Sequence, residues 1–283
     1  MKRLSLLLIV ALVAVACGTE DDAGSGGADS CELGDISTLD LKVADTLTVA
    51  TGEPVFPPWM IDDDPSNGQG FESAVVYAVA EELGFARDEV EWVRTGFTEA
   101  IVAGEKDYDF NVQQYTITEE RDEVVDFSDG YYALRQAIVG YADSAAVGAT
   151  SVSDLQALRI GAQLGTTSLD YVENVIQPEE AAAVYDTNAD AKAALDADQV
   201  DALVFDLPTA YFVTAVEIEG SVILGQLEEV GDAPEELGFL FEEGSPLVPC
   251  VNEALSNLRD AGTLADIEQE WLAQGGDIPT ISR

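Results

Sequence analysis

Ala137-Ile138-Val139-Gly140-Tyr141 is an apolar run too short for a buried helix, and it reads as a strand. It decides the fold because it opens a β–α alternation that the chain has already run through once. Upstream, Leu47-Thr48-Val49-Ala50 reads as a strand and Glu72 to Leu83 as a helix. That helix keeps Ala74, Val75, Val79 and Leu83 in step and stops at Gly84. Val90 to Val93 then alternates as a strand, Phe97 to Ala103 is a short helix ended by Gly104, and Tyr108 to Val112 is a strand. Downstream, a short helix starts at Ser153, a strand runs from Leu158 to Ala162, and a helix follows from Ser168 to Ile176. Val184-Tyr185 is a short strand, and Asn188 to Asp196 is a helix with Asn188 or Asp190 as its cap. Val200 to Phe205 is a strand and Pro208 to Val216 a helix. Phe239-Leu240-Phe241 returns to the first unit, and helices at Pro249–Gly262 and Leu264–Leu272 close the chain. Such alternation predicts an α/β fold with parallel sheets covered by helices. Two such units make a two-lobed protein: residues 45–135, completed by 233–283, form one lobe and 136–232 the other. Extended crossings near Leu134–Ala137 and Gly231–Leu237 join them. The cleft between such lobes, at strand carboxyl ends, is where small ligands sit.

The first residues read as an address. Lys2 and Arg3 precede an apolar run, Leu4 to Ala16, that is too short for a membrane span and ends Ala14-Val15-Ala16-Cys17. This resembles the lipobox of bacterial lipoproteins, with Ala14 where leucine is usual. The resemblance implies that residues 1–16 are a signal peptide and that Cys17 carries the lipid, so the only contact with the membrane is the lipid itself. The alternative is an ordinary secretory signal with a chance cysteine. Thr19 to Ser30 has no apolar periodicity and reads as a Gly/Ser-type tether within a stretch, 17–44, of tether and N-terminal arm. With Cys17 lipidated, Cys31 and Cys250 remain. An even pair in an exported protein suggests a disulfide, two separate thiols being the alternative.

Composition removes several function classes. Among 283 residues, 55 are acidic and 12 basic, for a net charge of -43 spread along the whole chain. Such a polyanion repels nucleic-acid phosphates and anionic membrane surfaces. With 47% hydrophobic residues it is nonetheless a folding chain. It has no histidine, which removes His-dependent nucleophilic catalysis and the commonest transition-metal ligand. Three scattered cysteines make no four-thiolate zinc site. No metal and no cofactor are expected.

Four places carry recognition chemistry. In Thr116-Ile117-Thr118-Glu119-Glu120-Arg121, Thr118 is placed as an N-cap. Arg121 then lies in a first turn, where the helix dipole disfavours a cation. It needs an anion: either a ligand carboxylate, which matches the guanidinium fork, or one of Glu119, Glu120, Asp122 and Glu123. Gly165-Thr166-Thr167 stands between a strand and a helix, either an anion-binding helix start or a plain glycine turn with a threonine cap. Asp206 ends an apolar strand just before Pro208, either as a cleft carboxylate for an ammonium group or as an N-cap. After the first strand, Glu53 is a second acid. Phe56 and Trp59, among Pro54, Pro57 and Pro58, offer an aromatic wall or merely pack a stiff loop.

Taken together, Thr116–Arg121 followed by Val125-Asp126-Phe127-Ser128-Asp129-Gly130-Tyr131-Tyr132 resembles the T-I-T-x-x-R … V-D-F-S-x-x-Y-Y signature of the family 3 extracellular solute-binding proteins. Gly70-Phe71-Glu72, Gln163-Leu164-Gly165-Thr166-Thr167, Val200-Asp201-Ala202 through Asp206, and Asn252-Glu253-Ala254-Leu255 continue the likeness over about Leu47 to Leu272. The resemblance implies a type II periplasmic-binding-protein fold that closes about a hinge, and a role as the substrate-binding component of an amino-acid ABC importer. It implies a monomer that is not an enzyme, exported to the outer face of the membrane or the periplasm, with the transporter permease as partner. In that reading Arg121 grips the α-carboxylate of a small zwitterion with Thr166 and Gly165, Thr116 adds its hydroxyl, Asp206 holds the α-ammonium, and Glu53 and Phe56 complete the site. The chain departs from the family where small residues normally precede Thr116: it has Asn111-Val112-Gln113-Gln114-Tyr115 instead. Gln113 and Gln114 bring amides near the expected backbone contacts and Tyr115 an aromatic, Gln163 being a further candidate ligand residue beside Gly165, and buried amides demand partners. A polar ligand side chain, or a ligand with groups beyond a simple amino acid, is therefore expected. An enzyme of cyclohexadienyl dehydratase type on the same fold, with Glu53 as general acid, and a sensory lipoprotein are the alternatives.

Overall fold

The structure, a computed structural model, describes residues 32–231, 233–272 and 278–283. The expected signal peptide, Cys17, the expected tether and Cys31 lie outside the described residues. In the first half of the chain, β1 (Leu47–Thr51) leads to α1 (Phe71–Leu83), β2 (Val90–Arg94), α2 (Phe97–Ile101), β3 (Phe110–Asn111), α3 (Glu119–Asp122), β4 (Asp126–Phe127) and β5 (Tyr132–Leu134). Next come β6 (Gln136–Tyr141), β7 (Ile160–Gln163), α4 (Thr167–Tyr171), β8 (Ala183–Tyr185), α5 (Asn188–Asp196), β9 (Ala202–Asp206), α6 (Leu207–Phe212) and β10 (Ser221–Leu227). The chain then returns through β11 (Glu235–Leu237), β12 (Leu240–Phe241), α7 (Val248–Ala261) and α8 (Thr263–Trp271), and ends in β13 (Thr280–Ile281).

Among the described residues the strands form a five-stranded sheet, β2-β1-β3-β12-β4, a six-stranded sheet, β13-β10-β6-β9-β7-β8, and the two-stranded ribbon β5–β11. All five residues of β1 are buried, as a strand flanked on both sides and covered on both faces requires. It runs parallel to β2 and β3, and β7 runs parallel to β8 and β9. The parallel pairing expected of the β–α alternation is found in these strands, but the sheets are mixed. The strand β6 is antiparallel to β9 and β10, and β12 to β3 and β4. The physical reason lies in β6 and β12, which follow β5 and β11 directly from the ribbon rather than through the covering helix that a parallel crossover needs. A correction concerns the C-terminus. The last strand, β13, pairs with β10, and Ile281 is buried in the second core, so residues 278–283 belong with the second sheet and not the first. The strand β10 itself was not expected from the sequence.

Side-chain alternation places the cores. In β6, Ile138 faces one hydrophobic layer while Ala137 and Val139 face another, and in β9 Ala202 and Val204 divide from Leu203 and Phe205 in the same way. The first core is built on β1, α1 and α7. Helix α1 is delimited by left-handed glycines. A Cβ on Gly70 (φ 95°) would stand 2.5 Å from the Trp59 carbonyl oxygen, and the N–H of Gly84 (φ 102°) donates to Ala80 and Glu81. Leu33, Ile36, Leu39 and Leu41 pack on this core, so the arm is seated from residue 33 onward. Cys250 is buried in α7 and is disulfide-bonded.

Candidate functional site

The crossing segments bring two strand ends and two helix starts to one cavity. Helix α3 begins at Thr118, whose Oγ1 accepts the Arg121 N–H at 3.2 Å, the cap expected from the sequence. Arg121 is thereby directed inward and is 7% exposed. Its Nη1 donates to the Thr116 carbonyl at 2.6 Å, and its Nη2 donates across the cleft to the Gly165 carbonyl at 2.9 Å. Phe97 lies beneath the guanidinium, 5.7 Å from ring centre to Cζ, and stacks on Tyr115 at 4.8 Å. None of the ion pairs among the described residues includes Arg121, so its neighbours Glu119, Glu120, Asp122 and Glu123 are not its partners. Burial pushes its pKa down, and Asp170, Tyr115, Glu235 and Asp206 pull it back; a guanidinium stays charged regardless.

On the second lobe, Gly165 turns left-handed (φ 75°) between β7 and α4, and a Cβ there would stand 3.1 Å from Thr98 Cγ2 of α2. Thr166 caps α4, which fixes its hydroxyl: it donates to the Gln163 carbonyl at 2.7 Å and accepts from Leu169 N–H at 3.2 Å. Both bonds of the hydroxyl are local to the turn. Gln163 Oε1 accepts the Asn188 N–H at 2.8 Å. The cap of α5 is Thr187, not Asn188 or Asp190, because the Thr187 hydroxyl reaches the N–H of Asp190.

Asp206 closes β9 and stands at the start of α6, yet it makes no side-chain cap. Its carboxylate turns instead to its cross-strand neighbour Gln136, whose Nε2 lies 3.4 Å from Oδ1. Burial, and then the charge of Glu235, raise its pKa to about 7. The same Gln136 amide reaches Thr167 Oγ1 and Glu235 Oε2, each at 3.2 Å. Thr167 Oγ1 is 3.3 Å from Thr116 Oγ1, a second bridge between the lobes. Gln114 is held left-handed (φ 49°) by the fully buried Glu72, which accepts both its N–H at 2.7 Å and its side-chain amide.

Arg121, Asp206, Thr116, Thr166, Gln114 and Gln163 line one cavity of about 30 Å³ with Phe97, Thr167, Ser168, Asn188 and Phe205. Gly165 meets it through the Arg121 bond. Glu53 and Phe56 do not line it. Glu53 is exposed in the loop after β1, and Phe56 faces the Lys192 ammonium at 4.5 Å from its ring centre. The aromatic surface expected of Phe56 is supplied by Phe97. Trp59 is buried and ties the lobes elsewhere, its Nε1 donating to Thr209 Oγ1 at 2.8 Å. Phe97, Gln136, Glu235 and the supporting role of Glu72 were not foreseen; only the acid of Gly70-Phe71-Glu72 had left a trace in the sequence.

Two α/β lobes joined by a ribbon, with charged groups of opposite sign on facing sides of a polar cleft, define a two-lobed small-molecule-binding protein of the type II periplasmic class. Residues 47–274 match the model of the bacterial extracellular solute-binding proteins, family 3. The chain belongs to that family, whose members work outside the cytoplasm. It is 27% identical over 283 residues to the arginine-binding extracellular protein ArtP of Bacillus subtilis, covering 96% of this chain and 98% of that one. A solved ancestral arginine-binding protein bound to arginine aligns with a TM-score of 0.67 at 30% identity, over 81% of this chain and 99% of that one. The ancestral amino acid-binding protein AncCDT-1, a precursor of cyclohexadienyl dehydratase, aligns with a TM-score of 0.65 at 29% identity, over 81% of this chain and 95% of its own.

Proposed function

We propose that this chain is the lipid-anchored, extracytoplasmic substrate-binding component of an ABC importer, and that it captures an α-amino acid without transforming it. The reading is carried by two groups on opposite lobes of one cavity: among the described residues, the buried Arg121 guanidinium has no carboxylate in ion-pair range and the Asp206 carboxyl has no cation. Uncompensated buried charge is costly. A zwitterion satisfies both charges with one molecule, its carboxylate on the Arg121 fork and its ammonium on Asp206. The groups of the lining amides left over from their hydrogen bonds within the protein, Gln114 Oε1, Gln163 Nε2 and the Asn188 side chain, are suited to a polar ligand side chain, in keeping with relatives named for arginine.

A cavity of about 30 Å³ admits no free amino acid, so the lobes part for entry and shut around the ligand. Closure is reinforced by the contacts that cross the cleft, Arg121 to Gly165, Thr116 to Thr167 and Trp59 to Thr209. A ligand touching both lobes favours the closed form in proportion to its extra contacts there. The dehydratase reading loses its named acid, since Glu53 is exposed and outside the cavity; prephenate or arogenate turnover by the purified protein would restore it. Calorimetric titration with the twenty α-amino acids tests the binding reading. Micromolar affinity, about -8 kcal/mol, is expected for at least one, and no heat from any of them sinks it.

Affinity should also depend on pH. Without ligand, Asp206 holds its proton up to about pH 7, whereas a bound ammonium requires the carboxylate. Binding therefore releases a proton below that pH. Affinity is highest above about pH 7 and falls toward pH 5 by up to about tenfold per unit. Titrations at pH 5, 6 and 8 in buffers of different ionisation enthalpy check both the slope and the released proton.

A further inference from the structure

We propose that Glu235, carried on the crossing strand β11, is a second carboxylate of the ammonium subsite, so that the bound ammonium bridges Asp206 and Glu235. The inference rests on the amino-acid reading above and adds to it a ligand contact made by the ribbon that joins the lobes.

The argument is a count of hydrogens. Gln136 Nε2 carries two, yet it stands within 3.4 Å of three acceptors: Thr167 Oγ1, Asp206 Oδ1 and Glu235 Oε2. Its own Oε1 is taken by the Ser168 hydroxyl at 2.6 Å. Thr167 donates its one hydrogen to Glu235 Oε2 at 3.0 Å, and its contact with Thr116 Oγ1 at 3.3 Å then uses the hydrogen of Thr116, so neither hydroxyl has one left for Asp206. Two carboxylates within reach of one amide therefore share too few donors. None of the ion pairs among the described residues includes either of them. An ammonium group supplies three donors and a positive charge, which is what this end of the cleft lacks. The charge of Glu235 also raises the pKa of Asp206, as expected of carboxylates that face each other without a cation between them. Glu235 stands just outside the cavity lining, bonded to the lining residue Thr167, and pairs with Leu134 across the ribbon, so an ammonium that reaches it touches the segment joining the lobes.

The test compares wild type, Glu235→Gln and Asp206→Asn by calorimetry against each α-amino acid that wild type binds in the panel of twenty, and against the corresponding desamino carboxylic acid. In Glu235→Gln the amide oxygen can still accept from Thr167, so the melting temperature should stay close to wild type. Affinity for the amino acid should fall about 10- to 100-fold, while affinity for the desamino acid changes little. A purely structural role would weaken both ligands alike and would overturn the proposal. So would a Glu235→Gln protein that binds the amino acid as wild type does while Asp206→Asn loses it. A wild type that binds none of the twenty overturns the functional reading itself, and this assignment with it.

Discussion

Arg121→Ala is expected to weaken amino-acid binding at least a hundredfold while leaving the melting temperature within a few degrees of wild type. The guanidinium offers a ligand carboxylate two parallel charge-assisted hydrogen bonds, each worth about 1.5–3 kcal/mol. Losing both corresponds to a factor of about 10² to 10⁴ in Kd. The fold loses less. Arg121 donates to the carbonyls of Thr116 and Gly165, but its charge is desolvated without a paired anion, and removing it relieves that cost. Arg121→Lys should be intermediate, since an ammonium keeps the charge but not the fork. Calorimetry gives the affinities and a thermal melt gives the stability. Wild-type affinity in the alanine variant would remove the clamp, whatever the rest of the cleft does.

The parts of this site that were legible in the sequence are those whose role is fixed locally. Thr118 as a cap puts Arg121 in a first turn whatever surrounds it, and an aspartate directly after four apolar strand residues must emerge at a strand end, as Asp206 does. Glu235 had no such signal. It sits in a segment without periodicity, and only its pairing with β5 turns it toward Gln136. Phe97 opens a five-residue helix whose facing is set by its stack on Tyr115, a tertiary contact. The proline-rich loop after β1 misled in the opposite way. Its composition shows that it is stiff, but not which way it points, so Glu53 and Phe56 were placed at a cavity they do not line. In β10, a register shift between Ile223 and Gly225 breaks the alternation that would have marked it as a strand. The strand β13 is two residues long and exists only because β10 is there to pair with it.

Glu72→Ala should be the most damaging substitution for stability, by about 2–4 kcal/mol, and it should weaken ligand binding as well. Glu72 is wholly buried in the first turn of α1, where the helix dipole favours an anion. It accepts the Gln114 N–H, the Gln114 side-chain amide and the Tyr131 hydroxyl, the last at 2.6 Å. Alanine leaves the buried Tyr131 hydroxyl and the two half-buried Gln114 donors without their acceptor and opens a cavity, and each fully buried orphaned donor costs about 1–3 kcal/mol before relaxation. It also frees Gln114, a non-glycine residue at φ 49° that lines the ligand cavity, to leave the left-handed region. Glu72→Gln separates charge from shape. It keeps one accepting oxygen and most of the volume, so it should cost less than alanine, yet it no longer titrates. Burial raises the Glu72 pKa to about 7, above its unfolded value. Between about pH 4 and 7 the folded state therefore holds more protons than the unfolded one, and this residue's contribution makes stability fall as pH rises through that window. Asp206 is raised to about 7 as well and acts in the same direction. Glu72→Gln should accordingly remove about half of the part of the pH 4–7 slope that these two carboxyls supply, and a slope unchanged from wild type in urea melts at pH 5 and pH 7 would mean that Glu72 is ionised in the core at no cost.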